Sequence, residues 1–585
     1  MKAFFKTFFA SFLALVVFTL LGVFILIGII AGASSGDKPY VGNKAVLLLD
    51  LSSQFKEQAQ DNPVNALLND TEKDQPSLFD MIRMIEYAKS DSSVKGMYIL
   101  CGTNPNGYAS SEELRKALQN FKLSNKFIYA YGETITQKGY YIGSVADKIY
   151  CHPQGGLEWD GFSSNLLFLK GLLDKLEIQP QIFYAGKFKS ATEPLRETQM
   201  TDANRLQTSV WLGDLYNHFL KAVAYSRSLD TATLRQLAVS GAIQTANDAL
   251  KNGLVDGLKY DDEIKKKLSE KLQISERAKI NFVSFSDYSK AVPYKEQGVG
   301  GKLAVVFADG DIVSGSGANE QVGSDAFRTL IRKLRMDKEV KAIVFRVNSP
   351  GGSSLASDVI WREITLAKKE KPVIVSMGDV AASGGYYISC NADYVFADEN
   401  TITGSIGVFS IVPNLASFYK NKLGITFDGI KTAPYADMGN SSRPLNETEK
   451  RFFQAGTDSI YDSFKSRVAE GRKKDILYVD SIAQGRVWTG ARSITVGLTD
   501  KIGTLQDAIA FAADKAKLAD YQLKEYPEKK NFLEQIMSGY KKAISTDLIK
   551  NEIGLENSRI WSEFKKVKQM MGIPQTRMPF VIEIN

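Results

Sequence analysis

One unit of this chain is written twice. The segment Val94-Lys95-Gly96-Met97-Tyr98-Ile99-Leu100 returns as Val340-Lys341-Ala342-Ile343-Val344-Phe345-Arg346, displaced by 246 positions. The same displacement carries Gly139-Tyr140-Tyr141-Ile142 onto Gly385-Tyr386-Tyr387-Ile388 and Ala146-Asp147 onto Ala392-Asp393. Gly253-Leu254-Val255-Asp256 matches Gly497-Leu498-Thr499-Asp500 at 244. Separated matches at nearly one displacement mark a tandem duplication of a unit of roughly 240 residues. Each copy alternates short Val/Ile-rich runs with amphipathic stretches. In the second copy this pattern predicts strands at 303–307, 340–347, 372–377 and 394–397, with helices at 354–369 and from Ala382 onward. Continuous apolar strands separated by helical segments predict an α/β fold with buried parallel strands. Lys-rich stretches at 260–279 and 284–302 read as linker between the copies.

The amino terminus obeys a different rule. No charged residue occurs from Thr7 to Ser35, which exceeds the roughly 20 residues that cross a bilayer. Lys2, Lys6 and Ala31-Gly32-Ala33 also suit a cleavable secretory signal, but such a signal has an apolar core of only about 7–15 residues. The longer run predicts an uncleaved transmembrane helix, with the lysines on the cytoplasmic side and the remainder outside the cytoplasm. The expected organisation is an anchor at 1–36, a first repeat at 37–285, a second at 286–523 and a helical carboxyl-terminal extension at 524–585, with basic amphipathic segments such as 532–550.

Composition narrows the chemistry. The 73 Lys+Arg against 66 Asp+Glu give +7 over 585 residues, too diffuse a charge for a nucleic-acid partner. Only His152, His218, Cys101, Cys151 and Cys390 are available for a Cys/His metal site, so neither metal nor cofactor is expected. The cysteines read as buried free thiols, with Cys101 and Cys151 ending neighbouring strands. His152 reads as incidental and His218 as packing.

Two glycine pairs in the second copy follow predicted strands: Asn348-Ser349-Pro350-Gly351-Gly352-Ser353 and Ala381-Ala382-Ser383-Gly384-Gly385-Tyr386. Loops at the carboxyl ends of parallel strands lie side by side where such sheets bind ligands. There, the Gly352 and Gly384 amides form a candidate oxyanion hole beside Ser383 at a helix start. Taken alone, the loops equally suit tight turns with Ser383 as a helix cap. The repeat adds a second constraint. Gln137 stands where Ser383 would be in the first copy, and Thr103-Asn104-Pro105-Asn106 lacks the glycine pair. Conversely, the first copy holds Tyr184-Ala185-Gly186-Lys187-Phe188-Lys189-Ser190-Ala191-Thr192-Glu193-Pro194-Leu195, whereas 432–445 contains no lysine. This complementary loss predicts one composite site. A serine needs a base to become a nucleophile, and a lysine serves when burial lowers its pKa from about 10.4. Lys187 and Lys189 are both candidates, and as isolated residues both also suit surface charges.

Taken as a set, these motifs, together with Met377-Gly378-Asp379-Val380 and Thr403-Gly404-Ser405-Ile406-Gly407, resemble the signal peptide peptidase A (protease IV) family in its long, duplicated bacterial form. The resemblance covers nearly everything after residue 36. It implies a tandem Clp-protease/crotonase-like α/β fold. It also implies a serine peptidase with a Ser-Lys dyad, Ser383 as nucleophile and Lys189, directly before Ser-Ala, as general base. Ser405 would orient the lysine, and Gly352 and Gly384 would hold the oxyanion. The implied substrates are remnant signal peptides and other small or unfolded peptides. The implied assembly is a homotetramer in the bacterial inner (cytoplasmic) membrane, single-pass. Two alternatives are a crotonase-type acyl-thioester enzyme, which needs neither Ser383 nor Lys189, and a non-catalytic membrane scaffold.

Overall fold

The computed structural model describes residues 2–34, 40–58, 75–295, 298–318, 320–528 and 570–578. A single helix, Lys2–Ser34, precedes the folded body. Its described side chains end at Gly22, and among the described residues no helix is long and apolar enough to cross a membrane.

The first half forms strands β1 (Ala45–Asp50), β2 (Val94–Leu100), β3 (Phe127–Ile135), β4 (Lys148–Leu157), β5 (Gln179–Ala185), β6 (Gly257–Leu258) and β7 (Phe282–Ser284). The second half adds β8 (Gly301–Asp309), β9 (Asp311–Val313), β10 (Gln321–Gly323), β11 (Val340–Ser349), β12 (Gly351–Ser353) and β13 (Val373–Ala382). Next come β14 (Tyr394–Ala397), β15 (Ile402–Gly404), β16 (Val408–Asn414), β17 (Val487–Thr489), β18 (Lys501–Ile502) and β19 (Tyr521–Tyr526). The last described strand is β20 (Gln575–Arg577).

The repeat is visible as topology. One sheet runs β6-β4-β3-β2-β1-β7, parallel throughout. A second sheet carries the same order as β18-β14-β13-β11-β8-β19, again parallel, with β15 and β17 added beside β13. Val340–Ser349 is buried on both faces because helices cover both sides, which is why its sequence is a continuous apolar run rather than an alternating one.

A third sheet, β10-β9-β12-β20-β16-β5, takes strands from both halves. Its β5–β16 pair is antiparallel and joins Gln179–Ala185 of the first copy to Val408–Asn414 of the second. A second tie is ionic. Arg346 of β11 is buried with its guanidinium 2.9 Å from Glu57 and 2.7 Å from Glu113, both in the first half, and it also donates to Ser376 Oγ and the Met377 carbonyl.

Several expectations are corrected. The Lys-rich 260–302 region is not free linker. Asp261–Leu272 is a helix whose Ile264, Leu268 and Leu272 bury against the first sheet, and β7 pairs with β1. Its lysines simply occupy the outer face, so charge density there reported exposure of one face rather than lack of structure. The expected helix from Ala382 begins at Gly384, since β13 continues through Ala382. Within 524–585 the described residues include two strands that the expectation did not contain: β19 extends across residue 523 along β8, and β20 pairs with β12. The segment 532–550 lies outside the described residues. His218 is no packing residue; it lies 2.7 Å from Glu399 and 3.7 Å from Glu112, between the two halves. The carboxylates outweigh burial and push its pKa up to about 9.

Removing one partner of a buried ion pair strands the other charges, at a cost of about 3–5 kcal/mol. Arg346→Met is therefore expected to lower the thermal midpoint strongly, and adding Glu57→Gln and Glu113→Gln to recover much of the loss. Calorimetry on the single and triple variants checks this.

Candidate active site

The pairing β5–β16 sets the geometry of the site. Its last register pair, Ala185 with Val408, delivers the chain that follows β5 to the mouth of the second-copy sheet. There Phe188 N–H donates to the Gln484 carbonyl at 2.7 Å, and Lys189 N–H returns to the Gly186 carbonyl at 3.0 Å. Gln207 fastens the turn from behind, donating to the Phe188 carbonyl and Ser190 Oγ while its own carbonyl accepts from Val487 N–H. Lys187 is exposed and its ammonium lies against Phe188, whereas Lys189 points inward and is 1% exposed.

Ser383 enters from the other side. Between Val347–Met377 and Ser349–Ala381, β13 spends four residues against two of β11. A bulge of this kind re-aims the strand end. Ser383 then adopts φ +55°, a left-handed conformation that costs a non-glycine residue of order 1–3 kcal/mol unless its surroundings enforce it. Its N–H is held by the Gly404 carbonyl at 2.7 Å, and its side chain makes no helix-capping bond. The hydroxyl is left for Lys189: Nζ stands 2.9 Å from Ser383 Oγ. The same Nζ donates to Ser405 Oγ at 3.1 Å and the Ser405 carbonyl at 3.2 Å. Ser405 is itself left-handed, at φ +51°, with its N–H on the Arg486 carbonyl.

None of these three oxygens is charged, so the amine is buried without a counterion. Burial alone pushes its pKa well below the usual lysine range. The structure thus brings Ser383 and Ser405 each into contact with Lys189, with Gly384 one residue on. Gly352 lies in β12, close by: a Cβ on the adjacent Gly351 would come within 2.6 Å of Gly384 N. In the first copy the corresponding region is closed by side chains. Gln137 exchanges hydrogen bonds with Gly161, and Asn106 accepts from Phe55 N–H while donating to the Ser53 carbonyl. His152, against Tyr260, takes no part.

Two segments, 120–275 and 365–519, match peptidase family S49. The chain belongs to this family. Its members are serine peptidases, and the doubled match is the duplication read from the sequence. The chain is 35% identical to Protease 4 of Salmonella typhi, over 88% of this chain and 85% of that one. It is 34% identical to Protease 4 of Haemophilus influenzae over 83% and 82%. The identity to the chloroplastic serine protease SPPA of Arabidopsis thaliana is 34%, over 74% and 64%. A ClpP1 mutant from Listeria monocytogenes aligns over 35% of this chain and 94% of that one at 14% identity, with a TM-score of 0.24, too low to bear on the fold.

The S49 sequence motifs leave out one contact that the site needs. Gly485, at φ +73°, approaches so closely that a Cβ there would lie 2.7 Å from both N and Cβ of Lys189. Only its position after Gln484, whose carbonyl holds Phe188, betrays it, and that partner is remote in sequence. Gly485→Ala is expected to displace the lysine and lower kcat about 10²-fold, the scale of a 1 Å misplacement. Steady-state kinetics with a short peptide, beside a thermal midpoint showing a folded enzyme, checks this.

Proposed function

We propose that this chain is a membrane-anchored serine endopeptidase with a Ser383–Lys189 dyad that degrades cleaved signal peptides and other small or unfolded peptides. The observation that carries the reading is the 2.9 Å contact between Lys189 Nζ of one copy and Ser383 Oγ of the other. Burial disfavours the charged amine, and in its neutral form Lys189 accepts the Ser383 proton as Oγ attacks a peptide carbonyl. The C–N bond breaks with proton return from Lys189 to the leaving amine, and water then hydrolyses the acyl-enzyme by the same route. Gly352 and Gly384 N–H groups stabilise the oxyanion, each worth about 10²–10³ in rate. Ser405 holds Nζ in line. An acyl-thioester chemistry would leave this buried serine–amine contact without a task.

The anchor belongs to the same proposal. Its support is the uncharged run from Thr7 to Ser35 and the continuous helix Lys2–Ser34. At 1.5 Å per residue the helix outreaches a hydrocarbon core of about 30 Å. Lys2 and Lys6 favour the cytoplasmic side, leaving the site outside the cytoplasm of a bacterial inner membrane. The proposal extends to a Clp-protease/crotonase-like fold for each repeat and to a homotetramer. Exposed Leu423, Ile425, Phe427 and Ile430 supply an apolar surface that a neighbouring copy would cover.

Ser383→Ala and Lys189→Met are each expected to abolish cleavage of a synthetic signal peptide. Lys189→Met should leave the thermal midpoint no lower, because it removes a buried unpaired amine; a variant that cleaves at the wild-type rate sinks the dyad. In wild type the base works only when unprotonated. Activity is therefore expected to rise with pH through the lowered Lys189 pKa and then level off, and Ser405→Ala to move that midpoint. A pH–kcat/KM profile reads both.

A further inference from the structure

The bulge that aims Ser383 is held from the other copy. β13 pairs with β14 through Ile374–Ser376 and with β15 through Val380–Ala382, and the change of partner falls across Gly378 and Asp379. A bulge leaves its extra residues unpaired. Within the second copy, Thr401 Oγ1 donates to the Gly378 carbonyl at 2.8 Å and Val380 N–H donates to Asn348 Oδ1 at 3.1 Å. The Asp379 side chain turns instead to the first copy. Its Oδ1 accepts from Ser110 N–H at 2.9 Å, and its Oδ2 accepts from Ser110 Oγ. Ser110 lies in the first turn of the first-copy helix Tyr108–Lys122. Two further side chains of that helix reach the second copy, Glu113 to Arg346 and Lys116 to Asp398 at 2.9 Å. Those two ties end on β11 and on the chain after β14; the one from Ser110 ends on the bulge itself.

The repeat shows what this contact replaces. At the displacement of 246, Gly107 corresponds to Ser353 and Ser110 to Ala356. In the second copy Ser353 caps its own helix, its Oγ accepting from Ala356 N–H at 3.3 Å. In the first copy Gly107 has no side chain with which to cap. The corresponding amide is taken by a carboxylate of the other copy, and a negative charge suits a helix N-terminus. The two arrangements exclude each other, because a Cβ on Gly107 would lie 2.1 Å from the Asp379 carboxyl. Gly107 sits at φ −70° and ψ 169°, extended backbone that any residue adopts, so the carboxylate and not the backbone requires glycine there. The first-copy counterpart of Asp379 is Glu133, which is exposed.

A helix cap alone needs no residue from elsewhere, since a local serine suffices in the second copy. What the exchange adds is a tie between the bulge, four residues before the nucleophile, and the copy that supplies the base. We propose that Asp379 is a positioning residue: by capping the helix Tyr108–Lys122 across the copies it fixes the β13 bulge relative to the first copy, and so sets Ser383 Oγ within reach of Lys189. This rests on the dyad reading above and adds a residue on which that geometry depends. Asp379 acts through the strand rather than on the reacting atoms.

The test uses the full-length chain and a short fluorogenic peptide. Asp379→Ala removes cap and tie together. The thermal midpoint is expected to fall by about 2–4 °C and kcat by about 10²-fold, the scale of a 1 Å misplacement, with KM little changed. Asp379→Asn keeps an acceptor for Ser110 N–H and is expected to restore most of kcat. Adding Gly107→Ser to Asp379→Ala separates the two roles. With the carboxylate gone the new hydroxyl fits and caps the helix as Ser353 does in the second copy, so the midpoint is expected to return while kcat stays low. Recovery of kcat along with the midpoint overturns the proposal, because Asp379 is then a cap and nothing more. A wild-type kcat in Asp379→Ala overturns it equally. The double variant carries its own cap, so it reads the tie even where Asp379→Ala folds poorly. Cleavage that persists in Ser383→Ala strikes instead at the dyad reading.

Discussion

A lysine amine held in the dry interior without a counterion is an unstable thing to build, and the rest of this architecture serves to hold it there. Lys189 keeps its place because its N–H donates to the Gly186 carbonyl, its neighbours Phe188 and Ser190 are held by Gln484 and Gln207, and Ser405 receives its Nζ. Of these fastenings only Gly186 belongs to the lysine's own loop. Burial lowers the pKa of the amine, and its hydrogen-bond partners among the described residues are neutral oxygens of Ser383 and Ser405.

The duplication supplies the means. Two copies of one sheet with the same strand order give two places where a loop at the carboxyl end of a strand could carry chemistry. One place has been closed by Gln137, Asn104 and Asn106, which satisfy backbone groups that would otherwise need water. The other kept its serine and glycines. The β5–β16 ladder and the buried Arg346 cluster then hold the halves in one register, so the amine of one reaches the hydroxyl of the other.

Much of this was legible in the sequence. Parallel strands buried on both faces announce themselves as apolar runs, and the repeat displacement pointed to a composite site before any contact was known. The choice between Lys187 and Lys189 was not legible from spacing, because neighbouring residues differ only in which way the loop turns; the signal peptide peptidase A resemblance pointed to Lys189, the one that the structure buries against Ser383. Gly485 was invisible for a related reason: its role is a close approach to a residue nearly three hundred positions away. The third sheet escaped because β12 and β20 are three residues each, too short to show alternation, and β20 is specified by the edges it pairs with rather than by its own composition. The Lys-rich 260–302 region was misread because a helix with one charged face resembles a linker when only charge is counted.

The separation of Lys189 and Ser383 along the chain, 194 residues, has a consequence in time. A ribosome delivers Lys189 long before Ser383, and the two meet only when the later half has folded against the earlier one. During synthesis the growing polypeptide therefore lacks this contact, and on the dyad proposed above it stays inert among extended chains until its last sheet closes. For the proposed dyad, division between copies is thereby a safeguard written into the order of translation.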